Sequence, residues 1–101
     1  MIHLDTLKQH CRVEIDDDDK LLLSYRDAAF DWIVRWLGRE IVDNEDDLQA
    51  ISETNPTAML INQAIINAAL LLVSHWYDHR DATTTPTGVT LLLQPYRVMG
   101  V

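Results

Sequence analysis

The sequence is poor in the residues that cross-link, hinge or break a chain. It holds one cysteine, three glycines and three prolines in 101 residues. One cysteine cannot form an internal disulfide, and Cys11 falls on the apolar side of a helical pattern with Leu4 and Leu7, where it reads as a small buried hydrophobe rather than a nucleophile. A lone thiol fits a reducing cytoplasm. Glycines at 38, 88 and 100 cannot build a phosphate-binding loop. Positive charge is scarce too. Eight Lys and Arg are scattered among sixteen acids, for a net charge of −8. No basic stripe exists to track a phosphate backbone, which argues against a DNA reader. No charged start followed by an apolar run marks a secretory signal. The longest apolar stretch, "AMLINQAIINAALLLVSHWY" at 58–77, is broken by Asn62, Gln63, Asn67, Ser74 and His75. That pattern describes a central helix covered by neighbours on several sides, not a membrane span.

What is present suffices for one core. Apolar residues make up 48% of the chain, so residues 1–101 are expected to fold as a single domain. Eleven of the sixteen acids lie in two patches, at 14–19 and 40–53. The first contains "DDDDK" at 16–20, a string familiar as an engineered protease recognition site. Here it stands where a helix should begin, and carboxylates are favourable at that end of the helix dipole. Asp16 or Asp17 is expected to cap the helix, with Lys20 pairing back to Asp16. The string lacks the alternation, glycine and terminal glutamate of a calcium loop.

Periodicity and punctuation predict an all-α fold: two long antiparallel helices, at about 17–37 and 56–78, with short helices at about 4–11 and 86–93. Gly38 is placed to end the first long helix. Residues 39–55 form an acidic interhelical loop, within which "NEDDLQAISE" predicts a short helix capped by Asn44. Asn55 and Pro56 have the cap-then-proline signature for the second long helix. Residues 81–88 form a loop, and Pro95 stops the last helix by forcing Gln94 out of the α region. No alternation marks a strand.

Few residues suggest chemistry. His75 and His79 in "HWYDH" share a helix face and loosely resemble a metalloprotease motif, but Asp78 replaces the glutamate and no third ligand is evident. A helix end with histidines near the negative dipole terminus is the preferred reading of them. Ser24, Ser52 and Ser74 have no nucleophile-elbow context. No catalytic, cofactor-binding or metal-ligating residue is therefore assigned. The aromatic residues of the first long helix, Tyr25, Trp32 and Trp36, read as core or as a subunit interface, and are taken as candidate interface residues.

Three stretches resemble, in order, the small α-helical head–tail connector proteins of long-tailed bacteriophages, also known as phage DNA-packaging proteins. In "LDTLKQHCRVEIDDDDKLLLSYRDAAFDWIVRWLGREI", His10, Arg12, Ala28, Ala29, Gly38 and Arg39 occupy the family's usual positions. "AIINAALLLVSHWYDHRDA" looks like its aliphatic helix, with Arg80 following the His-Trp-Tyr. "GVTLLLQPYRVMG" looks like its ending through Leu92, Pro95, Tyr96 and Arg97. Cys11 departs from the usual leucine, and residues 43–55 match nothing in the pattern. The resemblance implies that "DDDDK" is native. It also implies a virion protein made in the host cytoplasm. Such proteins form a ring, of about twelve copies by the symmetry of the portal, below the portal. The ring would join the DNA-filled head to a stopper or tail-completion protein, with DNA only passing through the lumen, and with no cofactor, membrane or enzymatic activity. An acidic regulatory or antitoxin-like binding module is the second reading of the residues, and a small metal hydrolase the remote third.

Overall fold

The computed structural model describes residues 2–14, 16–79 and 85–98. Arg80 and the first half of the expected 81–88 loop lie outside them, and Thr87 and Gly88 belong to α5. The chain runs α1 (Leu4–Cys11), α2 (Asp19–Leu37), β1 (Ile41–Val42), α3 (Glu45–Ser52), β2 (Met59–Leu60), α4 (Gln63–Asp78) and α5 (Thr87–Leu93), then one 3-10 turn (Gln94–Tyr96).

The core is built around α4. Its Ile65, Ala68, Ala69, Leu72 and Val73 have no solvent exposure. They meet Leu7 of α1, Leu22, Ala29, Ile33 and Leu37 of α2, and Val89 and Leu93 of α5, all equally sequestered. Each such leucine, isoleucine or valine side chain stabilises the fold by about 1.5–3 kcal/mol. Helix α4 packs against α1, α2 and α5. It is the helix covered on several sides that its pattern of apolar residues predicts. The Tyr77 hydroxyl donates to Asp18 Oδ2 at 2.6 Å, so the start of α2 lies beside the end of α4. The strands that follow α2 and precede α4 pair with each other. The two long helices therefore run antiparallel.

The helical class holds, with one addition and several shifted boundaries. The second long helix does not begin at 56. Asn55 and Pro56 form a turn instead, closed by the Ala58 N–H donating to the Asn55 carbonyl at 3.2 Å. Proline's fixed φ suits position i+1 of a β-turn as well as the first position of a helix, so one signature serves both. The cap is Asn62, whose side chain accepts from the Ile65 N–H at 3.0 Å. Between turn and cap, β2 pairs in parallel with β1, in the register Ile41↔Met59 and Val42↔Leu60. Strands of two residues are too short to show a period, which is why no alternation announces them. Asn44 does cap α3, its Oδ1 accepting from the Asp47 N–H at 2.8 Å. Gly38 ends α2 with φ 72°, in the left-handed region expected of it. Pro95 does not stop the last helix outright. Gln94 stays right-handed at φ −51°, and the chain tightens into the 3-10 turn, which ends at Arg97.

"DDDDK" does not cap α2 as expected. The helix begins at Asp19, and Asp18 occupies the cap position without a side-chain capping bond. Its carboxylates serve other elements. Lys8 of α1 sits 2.6 Å from Asp16 and 3.0 Å from Asp19, so Asp16 meets Lys8 rather than Lys20. With Asp18 bound to Tyr77, the segment ties α1, the start of α2 and the end of α4 together.

Hydrogen bonding to Asp16, and then to Asp19, raises the Lys8 pKa, and Lys8 in turn lowers that of Asp16. A raised lysine pKa contributes stability that is lost as pH climbs through the folded value, above about 10.4. A lowered aspartate pKa contributes stability that is lost as pH falls through a folded value below about 3.9. Lys8→Ala is therefore expected to be less stable than the parent chain at neutral pH in urea melts, with the gap closing at both pH extremes. A gap that stayed constant across pH would rule out the ion pair as its source.

Arg12 ends α1 with φ 58°, the only positive φ on a non-glycine residue among those described. A Cβ is disfavoured there. Arg12→Gly is expected to stabilise the fold by about 0.5–1 kcal/mol in the same melts.

Candidate functional site

Among the described residues, no catalytic constellation is assembled. His75 is half-buried and His79 exposed, and their rings stack with centroids 5.0 Å apart. His79 Nδ1 lies 3.3 Å from the His75 carbonyl, while His75 Nε2 is buried without a hydrogen-bond partner among the described residues. Among the described residues no group of three or more His, Cys, Asp and Glu side chains could hold a metal ion. Cys11 is half-buried beside the core, and burial, reinforced by the charge of Asp78, pushes its thiol pKa up. That disfavours the thiolate a nucleophile requires. No helix of the described residues is long and apolar enough to cross a membrane.

The three candidate interface residues lie along one side of α2, at spacings of seven and four residues. All three are half-buried and pack one side against the core. Tyr25 meets Trp76 of α4 at a centroid distance of 6.0 Å and an angle of 59°. Trp32 and Trp36 stack on each other at 6.1 Å and 8°. Each aromatic therefore has a structural task and keeps part of its surface in solvent. Leu91 of α5, not singled out by the sequence, is 70% exposed.

Sequence reasoning missed the role of two arginines. Arg97 lies over the Trp36 ring, 4.4 Å from its centroid, and its Nε donates to the Trp36 carbonyl at 3.1 Å. Arg39 Nε donates to the Thr57 carbonyl at 2.6 Å and its Nη1 to the Tyr96 carbonyl at 3.2 Å. The Val98 N–H donates to the Leu37 carbonyl at 2.9 Å. Together these bonds fold the C-terminal segment back across the end of α2. They join residues from separate stretches of the connector resemblance, Trp36, Leu37 and Arg39 with Tyr96, Arg97 and Val98. The last carbonyls of a helix have no intrahelical partner, so arginines just beyond Gly38 and Pro95 were the available signal.

Comparison with known proteins gives this clasp and bundle a family. The phage gp6-like head-tail connector protein family matches residues 1–96. The chain belongs to that family. A curated relative, head completion protein gp6 of Enterobacteria phage HK97, is 30% identical over 82 residues, which are 81% of this chain and 64% of the relative. The match thus spans a little under two-thirds of the relative's length. The crystal structure of bacteriophage HK97 gp6 is similar at a TM-score of 0.68 and 26% identity, over 96% of this chain and 93% of that one. The stretches that carried the connector resemblance fall almost wholly within the matched residues.

The clasp sets an expectation for stability. Arg97→Ala removes a cation–π contact and a charge-assisted hydrogen bond, and is expected to cost about 1–2 kcal/mol in a chemical melt. Arg97→Lys should restore little of it, since an ammonium lacks the flat face and fixed donors of a guanidinium. Full recovery by lysine would show that charge alone matters there.

Proposed function

We propose that this chain is a structural head–tail connector of a bacteriophage virion, a single connector domain that forms a ring below the portal and joins the DNA-filled head to a stopper or tail-completion protein. The family match over residues 1–96 carries this reading. The similarity to the HK97 gp6 structure over nearly the whole chain supports it. The antitoxin-like module and the metal hydrolase have no such support.

The role is architectural, without catalysis. In it, a ring closes through two different faces of each subunit. Tyr25, Trp32 and Trp36 on α2 supply the aromatic surface for one of those faces, since half-exposed aromatics beside a core are the side chains most often concentrated at interfaces. A net charge of −8 disfavours tight binding to DNA, which suits a lumen through which DNA must slide. About twelve copies are expected where the portal is twelve-fold.

The test is native mass spectrometry over a concentration series, with and without the cognate portal. Rings or a portal-bound assembly are expected. Trp32→Asp should keep its helical circular dichroism yet weaken assembly roughly tenfold or more. A parent chain that stays strictly monomeric at high concentration and also ignores the portal would defeat the connector reading. Unchanged assembly of Trp32→Asp would instead move the interface away from α2.

A further inference from the structure

The two-stranded sheet has an unpaired side, along which Ile41 is 7% exposed. The Met59 N–H donates to the Glu40 carbonyl and the Ile61 N–H to the Val42 carbonyl, both at 2.9 Å. In a parallel ladder this register turns both backbone groups of Val42 towards β2, and the N–H and C=O of Ile41 the other way. No backbone or side-chain group of the described residues bonds to the Ile41 main chain. A groove adjoins that edge. It is lined by Ile41, Val42 and Asp43 on one wall and by Asp47, Ala50 and Ile51 of α3 on the other, and no residue of β2 contributes.

Its surroundings have one sign of charge. No lysine or arginine occurs between Arg39 and Arg80. The ion pairs among the described residues all involve Lys8 or Arg26, so none neutralises a carboxylate of 40–53. Asp47 bonds only within its own cap, receiving Asn44 Nδ2 at 3.1 Å. The groove thus offers an unpaired strand edge, an aliphatic floor from Val42, Ala50 and Ile51, and uncompensated carboxylates at the rim. Unpaired edges accept strands, alternate side chains of an added strand find pockets, and the local charge selects against acidic ones.

We propose that this edge receives an extended, cationic segment of a partner protein, which adds a third strand beside Ile41 and places lysine or arginine side chains against Asp43 and Asp47. A second copy of this chain is the less fitting occupant, since its own net charge repels it from this region.

The probe is a capped peptide of alternating lysine and valine, titrated into the ¹⁵N-labelled full chain at low salt. Two companions accompany it: the same peptide with alternate amides N-methylated, and one with glutamate for lysine. The expected result is saturable shifts of the Ile41 and Asp43 amides with the first peptide and none with the other two. Asp43→Lys should weaken binding by roughly threefold to tenfold, an effect that shrinks as salt is added. Equal binding of the N-methylated peptide would overturn strand pairing and leave only charge attraction. Absence of shifts at Ile41 with millimolar peptide would overturn the site. Concentration-dependent shifts at Ile41 without peptide would assign the edge to a second copy and overturn the foreign occupant.

Discussion

Helix α4 must be covered from several directions at once. With Ile65, Ala68, Ala69, Leu72 and Val73 fully removed from solvent, its apolar arc is wider than one neighbouring helix can shield. The rest of the architecture follows from that demand. Helix α2 lies antiparallel along one side, α1 closes the end where Leu7 enters the core, and α5 returns to supply Val89 and Leu93. Alanines at 68 and 69, together with Ala29 of α2, let helices approach closely where bulkier side chains would hold them apart. In a chain of 101 residues no second core could compensate for a lapse here.

Short helices at both ends of a bundle are easily lost unless polar contacts hold them, and the polar residues are spent on this. Lys8 fixes α1 to the acidic step before α2, and Tyr77 fixes that step to the end of α4. At the opposite end, Arg39 and Arg97 tie the C-terminal segment over the last carbonyls of α2. The two fastenings differ in kind. The first rests on ionised carboxylates and responds to pH. The second rests on guanidinium groups donating to backbone carbonyls, with that of Arg97 lying over the Trp36 ring.

Much of this was legible in the residues. The pattern of apolar positions gave α1, α2 and the body of α4, because long periodic segments carry redundant information. Gly38 and Asn44 were read correctly because their chemistry admits few alternatives: a left-handed φ in one, a side-chain acceptor before an acidic turn in the other. Asn55–Pro56 failed for the opposite reason, being equally good as a cap or as a turn. The strand pair depends on a contact between residues 41 and 59 that no local pattern encodes. "DDDDK" falls within the residues that the family matches, but its partners, Lys8 and Tyr77, are settled only by tertiary packing. The aromatic stripe was visible as a stripe, while the arginine that covers Trp36 was not, since Arg97 is sixty-one residues away.

The clasp has a consequence for how a connector subunit could present its surfaces. By drawing residues 94–98 over the end of α2, it sets Arg97 on the Trp36 ring, and the Trp32–Trp36 stack extends that contact along the helix. Side chains held by stacking lose little further freedom on association, so a preformed stripe costs less to bury than a mobile one. The clasp and the strand pair are also linked, because Arg39 bridges Thr57, two residues before β2, and Tyr96. One arginine thereby connects the segment that leads into β2 with the segment that covers the aromatic residues at the end of α2.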